Sequence, residues 1–219
     1  IEATDLSESV YQILRQWIIQ QSFNPGQRLN LTELEGSLQV SRTPLKTALK
    51  RLELEGFVEI HARSGTYIAQ IDIDKLEENY KIRSSFELYV ALCLFKYLTD
   101  DDYQFFEHIQ NEMNQLVDTS GNNWKMIVAD YLDLDRQFHE RLVERGGPQR
   151  MLDLFRQMNV HTHMTQIVQH YHPREFQSMH FEHEQIFSSI FDLSPERLSA
   201  TLLNHLESAR YRALKHFED

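Results

Sequence analysis

Cysteine is almost missing from this chain: Cys93 is the single one in 219 residues. One thiol cannot close an internal disulfide, so a reducing compartment, the cytoplasm, is expected. Cys93 lies in the apolar run YVALCLF, where a buried structural thiol is expected rather than a nucleophile. Glycine (7) and proline (5) are also scarce, which argues against collagenous, linker-rich and all-β chains. No apolar stretch reaches the roughly 18 residues that a membrane-spanning helix needs. The opening IEATDLSESV has no basic region followed by an apolar run, so no signal peptide is expected there. HExxH, a nucleophile elbow and a phosphate-binding glycine loop are all absent.

What is present is unevenly placed. The chain carries a formal charge of −11. Residues 1–71 hold seven Lys/Arg and eight Asp/Glu, whereas residues 72–219 hold fifteen and twenty-five, so nearly all the negative charge is in the second part. Nine of the eleven histidines follow residue 130. Such asymmetry points to two parts with different tasks, and the boundary is placed at Ile71/Asp72.

Apolar residues keep a helical period from Leu6 to Ile19 (Leu6, Val10, Ile13, Leu14, Trp17, Ile18). Pro25-Gly26 breaks it. A second helix is predicted over 32–39, with Thr32 as N-cap and Glu35 at capping-box spacing. Ser41 can cap a third, which tolerates Pro44 in its first turn and stops at Gly56. FVEIHARSGTYIAQI then alternates as a β-hairpin with Gly65 at the turn. From Asp74 the pattern is helical throughout: one long helix running to about Thr99, then segments near 101–118, 124–145, 148–170, 174–192 and 195–217. The fold class expected is mainly α: a winged helix-turn-helix of three helices and a β-hairpin wing over 1–71, then an all-α antiparallel bundle of about six helices over 72–219.

In the winged order, the first turn of the third helix can reach base edges and phosphates in a major groove. Ser41, Arg42, Thr43 and Lys46 are the groups that could reach. An arginine such as Arg42 can bond two guanine acceptors at once, while Leu45, Leu49 and Leu52 hold the helix to its domain. Gly65 lets the wing tip approach a backbone closely. The bland alternative is an amphipathic helix with a solvated basic face, and the order of the surrounding elements weighs against it.

SRTPLKTALKRLELEGFVEIHARSGTYIA, with the earlier PGQRLN, resembles the DNA-binding domain of GntR-type bacterial transcription regulators. The resemblance implies DNA contact by Ser41, Arg42, Thr43, Lys46 and Gly65. The chain departs from the usual pattern at Lys46-Thr47, where relatives show Arg-Glu, and at Thr32, where they show arginine. Lysine meets a phosphate or guanine as a point charge without arginine's fork.

In the second part, LDLDRQFHERL puts Asp135 and His139 four apart, on one helix face. His183 and His205 follow, each among apolar residues at helical spacing: Phe181, Ile186 and Phe187 around one, Leu202, Leu203 and Leu206 around the other. Spacing alone is a weak signal, and a hydrogen-bonded interior or surface imidazole is the commoner reading of any single histidine. If the faces converge, three imidazoles and a carboxylate suit Zn²⁺ or Ni²⁺ better than Mn²⁺. His161 and His163 do not share a face, and His170, His172 and His180 are expected in loops or on the surface.

Residues 74–217, with YKIRSSFELYVA (80–91) near their start, resemble the all-α FCD effector domains of the FadR subgroup. That resemblance implies metal ligation by Asp135, His139, His183 and His205, with a small carboxylate completing the coordination. Arg83 is a candidate second anchor for the acid, and equally an i,i+4 partner for Glu87. Arg156, Asn159, His161, His163 and Arg210 are weaker candidates. The reading is a cytoplasmic, homodimeric repressor that binds a pseudo-palindromic double-stranded DNA operator, responds to a carboxylate effector and does not touch membrane. The alternatives are a metal-dependent hydrolase or hydratase, or an architectural DNA-binding protein.

Overall fold

The computed structural model describes residues 3–19, 22–70, 72–120, 127–168 and 173–215. The chain forms two compact units, Ile1–Asp72 and Ile73–Asp219. The first contains α1 (Ala3–Ile19), α2 (Leu31–Leu38), α3 (Arg42–Leu54), β1 (Val58–His61) and β2 (Gly65–Ile68). Its core draws Val10, Leu14 and Ile18 from α1 and Leu45, Leu49 and Leu52 from α3, with Phe57 and Ile68. Ile13 turns outward at 39% exposure. Tyr11 is buried in its place, and its hydroxyl donates to Glu55 at 2.7 Å.

Asn30, not Thr32, caps α2. Its Oδ1 accepts the N–H groups of Thr32 (3.2 Å) and Glu33 (3.4 Å), and its Nδ2 donates to Glu33 Oε1 at 2.7 Å. The helix therefore starts one residue early, and Thr32 sits inside its first turn, beyond the capping position. Ser41 does occupy the N-cap of α3, but its side chain makes no capping bond. α3 ends at Leu54 with Glu55 as its C-cap, and Gly56 takes φ +76.

The hairpin pairs Val58 with Ile68 and His61 with Gly65. The left-handed residue inside its turn is Arg63 (φ 71), and Gly65 opens β2 at φ +129. Leu29 N–H donates to Thr66 O and Ile68 N–H to Gln27 O. This sets Arg28 opposite Tyr67 in an antiparallel bridge.

The second unit contains α4 (Ile73–Cys93), α5 (Asp100–Ser120), α6 (Val128–Gly146), α7 (Gln149–Val168), α8 (Pro173–Phe191) and α9 (Pro195–Lys215). α4 stops at Cys93 rather than near Thr99 and tightens into a 3-10 turn over Leu94–Lys96. The break comes from the next cap: Thr99 gives both its N–H (3.0 Å) and its hydroxyl (2.8 Å) to Asp102 Oδ2. Asp102 also accepts from Arg145 at 2.6 Å, which ties α5 to α6. Cys93 is half-buried, and its thiol donates to the Gly146 carbonyl at 3.2 Å.

α4 packs against α6, α7 and α9, and α8 packs on α9. The inward stripe of α4 reads Leu76, Tyr80, Arg83, Glu87, Val90 and Ala91, so an ion pair sits in the middle of an otherwise apolar face. Among the described residues, no helix is long and apolar enough to cross a membrane.

Candidate metal centre and nucleic-acid interface

The i,i+4 spacing on α6 turns Asp135 and His139 to the same side, and α8 and α9 bring His183 and His205 to meet them. All four are buried, with ligand atoms within 4.8 Å of one another. The Nε2 atoms of His139, His183 and His205 lie 3.4, 2.7 and 3.8 Å from Asp135 Oδ1. Ligands about 2.1 Å from a tetrahedral ion stand about 3.4 Å apart, so the spread suits one small cation.

Each imidazole is held from behind through Nδ1. His139 Nδ1 meets Glu87 Oε2 at 2.5 Å, His183 Nδ1 meets the Met179 carbonyl at 2.9 Å, and His205 Nδ1 meets Glu182 Oε2 at 3.0 Å. All three acceptors require a proton on Nδ1, which leaves Nε2 facing Asp135 as the ligand atom. The Nε2 atoms of His139 and His205 are buried with no hydrogen-bond partner. The 3.4 Å from His139 to Asp135 is ion-pair distance without hydrogen-bond geometry. Two buried lone pairs without donors are costly, and a cation would satisfy both, so the residues present fit a metal.

Two charged relays back this centre. Arg83 Nε donates to Glu87 at 2.6 Å, with Arg83 at 2% exposure and Glu87 at 0%. Arg212 grips Glu182 with two bonds of 2.7 and 2.8 Å. Burial alone would raise the Glu87 carboxyl, but His139 and Arg83 hold it below the usual range. Burial likewise opposes ionisation of Glu182, yet Arg212 and His205 bring it down to about 2. Asp135 is held well below the ordinary carboxylate range against burial, by the nearby His139 and by His183, which hydrogen-bonds it at 2.7 Å. Burial and the nearby His183 push His205 down to about 3, so it stays neutral.

Arg83 thus makes the Glu87 pair, and its Nη2 is still buried without a hydrogen-bond partner. Sequence reasoning missed Glu87, Glu182 and Arg212 as supports. The available signal was charge at inward positions of otherwise apolar helix faces. His180 is not in a loop: it lies half-buried on α8, 3.1 Å from the Tyr131 hydroxyl. Phe181 points out at 59% exposure. Arg156 pairs with Glu140 at the surface, and Arg210 pairs with Glu207 and Glu77. The side chains of Asn159, His161 and His163, and all of His170 and His172, lie outside the described residues.

In the first unit, Ser41, Arg42, Thr43 and Lys46 are all exposed at the start of α3. Pro44, Leu45, Ala48, Leu49 and Leu52 are buried on its other side. Arg42 is 59% exposed and meets Glu35 at 3.6 Å. Arg51 is not part of this free face: its guanidinium stacks 3.7 Å from the Tyr11 ring and pairs with Glu8 and Glu55.

Known protein families match stretches of both units. The profile of the bacterial regulatory proteins of the gntR family matches residues 6–68, and that of the FCD domain matches residues 78–208. The Nta operon transcriptional regulator of Aminobacter aminovorans is 29% identical over 90% of this chain and 85% of its own length. The HTH-type transcriptional repressor RspR of Escherichia coli K12 is 22% identical over 92% of this chain and 86% of its own. Among solved structures, a GntR-type transcriptional regulator from Rhodococcus sp. RHA1 superposes with a TM-score of 0.72 at 19% identity, covering 95% of this chain and 97% of that one.

Proposed function

Because the chain belongs to the GntR family of bacterial regulatory proteins, in the group whose second domain is an FCD domain, we propose that it is a cytoplasmic repressor that binds a pseudo-palindromic operator as a homodimer and is switched by a small carboxylate held at a metal ion. It is a DNA-binding transcription regulator and not an enzyme, as its relatives are, so the hydrolase or hydratase alternative falls. Residues 1–71 read DNA through Ser41, Arg42, Thr43 and Lys46 in a major groove, with Gly65 at the backbone. Residues 72–219 sense the effector and dimerise. The repressor role is supported by the name that RspR carries.

The observation that carries the sensing reading is the buried Asp135, His139, His183 and His205 set, with two Nε2 atoms lacking partners. Its nitrogen-rich donors favour Zn²⁺ or Ni²⁺. A bound dication supplies open coordination positions for an anion. Charge balance favours a carboxylate: Asp135, Glu87 and Glu182 bring three negative charges, while Arg83 and Arg212 bring two positive ones. A dication then leaves one positive charge buried in surplus, and an anionic carboxylate neutralises it. Arg83 Nη2 offers that acid a second contact.

The effector switches affinity only if it prefers one arrangement of the paired DNA-reading domains. The test is operator binding by metal-loaded protein across a panel of small carboxylic acids, with metal content measured alongside. One acid should change affinity in the loaded protein and not after chelation, and Arg83→Ala should keep the metal while losing the response. Equal operator affinity with and without every acid would defeat the switch.

A further inference from the structure

We propose that Arg28, which neither the recognition helix nor the hairpin supplies, is a sequence-independent contact to the DNA backbone, closing with Arg42 and Gly65 a cleft that takes one phosphate. The cleft has a volume of about 440 Å³ and is lined by Arg28, Thr32, Arg42 and Gly65 among others, with no carboxylate residue in its wall. Two guanidiniums line this space; Arg42 meets Glu35 at 3.6 Å, and Glu35 is not among the lining residues, so the space itself is open to the oxygens of a phosphate.

Arg28 is held in place by its backbone. The bonds from Leu29 N–H to Thr66 O (2.8 Å) and from Ile68 N–H to Gln27 O (2.9 Å) lock it beside β2 as a short added strand. Its guanidinium crosses Gly65 so closely that a Cβ there would stand 2.9 Å from Nε. The glycine therefore does two things: it accepts φ +129, and it leaves room for the arginine. Arg28 is exposed and makes no side-chain hydrogen bond or ion pair with any described residue. The N-terminus of α2 is not the anion binder, because Asn30 already takes the Thr32 and Glu33 N–H groups. Arg28 also lies outside the helix whose first turn reads bases, so it serves affinity and register rather than sequence choice.

The inference rests on the DNA-reading assignment of the first unit, and the experiment separates the two. Full-length parent, Arg28→Ala, Arg28→Gln and Arg28→Lys are titrated against a duplex selected from genomic fragments and against an unrelated duplex, over a range of salt. Binding of the parent to the selected duplex tests the DNA-reading assignment; the variants test Arg28 alone. Arg28→Ala and Arg28→Gln are expected to weaken both duplexes by the same factor, about fivefold per DNA-reading domain at 0.15 M salt. The slope of log affinity against log salt should become shallower by about one per domain. Arg28→Lys should keep the slope, because it keeps the charge. Unchanged affinity in the neutral variants overturns the proposal. So does a loss confined to the selected duplex, which would make Arg28 a base reader, or a loss of slope in Arg28→Lys equal to that in Arg28→Ala.

Discussion

Removing the metal should lower the melting temperature of the helical unit by an amount that can be worked out beforehand. The unfolded chain does not preassemble Asp135, His139, His183 and His205, which come from three helices, so binding free energy adds to folding free energy. At free metal about a thousandfold above the dissociation constant, that addition is about 4 kcal/mol. For a unit the size of Ile73–Asp219, each kcal/mol moves the midpoint by about 2–4 °C, so chelation should lower it by about 8–16 °C. Scanning calorimetry of full-length protein, with metal and after chelator dialysis, reads this directly. His139→Ala removes a ligand and strands the Glu87 carboxylate, which is fully buried, with Arg83 as its remaining partner. That variant should melt lower and lose most of its sensitivity to chelator. Identical parental midpoints with and without metal, or an undiminished chelator effect in His139→Ala, would refute the assignment of these residues as ligands.

Other tests follow from the same structure. Glu87→Gln and Glu182→Gln should each weaken metal binding by about 10–100-fold in competition with a chromophoric chelator, because the carboxylates set the Nδ1–H tautomer. Arg42→Ala should weaken the selected operator by about 1–3 kcal/mol and relax preference at one position, read by binding to a substituted operator set; an unchanged preference would mean that Arg42 touches only phosphate. Asp102 has a depressed folded-state pKa, because the Thr99 N–H and hydroxyl and Arg145 outweigh burial. Its stabilising contribution is then fully present above its unfolded value near 3.8 and fades as pH falls through the lower folded value. The urea-midpoint gap between parent and Asp102→Asn should therefore shrink on acidification from pH 5 to pH 2.5. A gap independent of pH would contradict the ion-pair account.

The residues by themselves determined whatever depends on near neighbours. Gly56 and Ser194-Pro195 mark helix ends because breakers and caps act within a few positions, and α9 does begin at Pro195. Asp135 and His139 share a face because a helix repeats every 3.6 residues. Where two caps lay within reach of each other, local reasoning could fail: Asn30 took the start of α2 from Thr32, since its oxygen reached both free N–H groups. Only the tertiary structure decided which charged residues turn inward. Glu87 meets His139 across 52 residues of chain, and Arg212 meets Glu182 across 30. An i,i+4 pair such as Arg83–Glu87 looks the same in a sequence whether it lies in water or in a core. Desolvation separates the two, and it exists only once α4 packs against α6, α7 and α9. Arg28 beside Gly65 belongs to the same class, because strand pairing, not sequence spacing, laid one across the other.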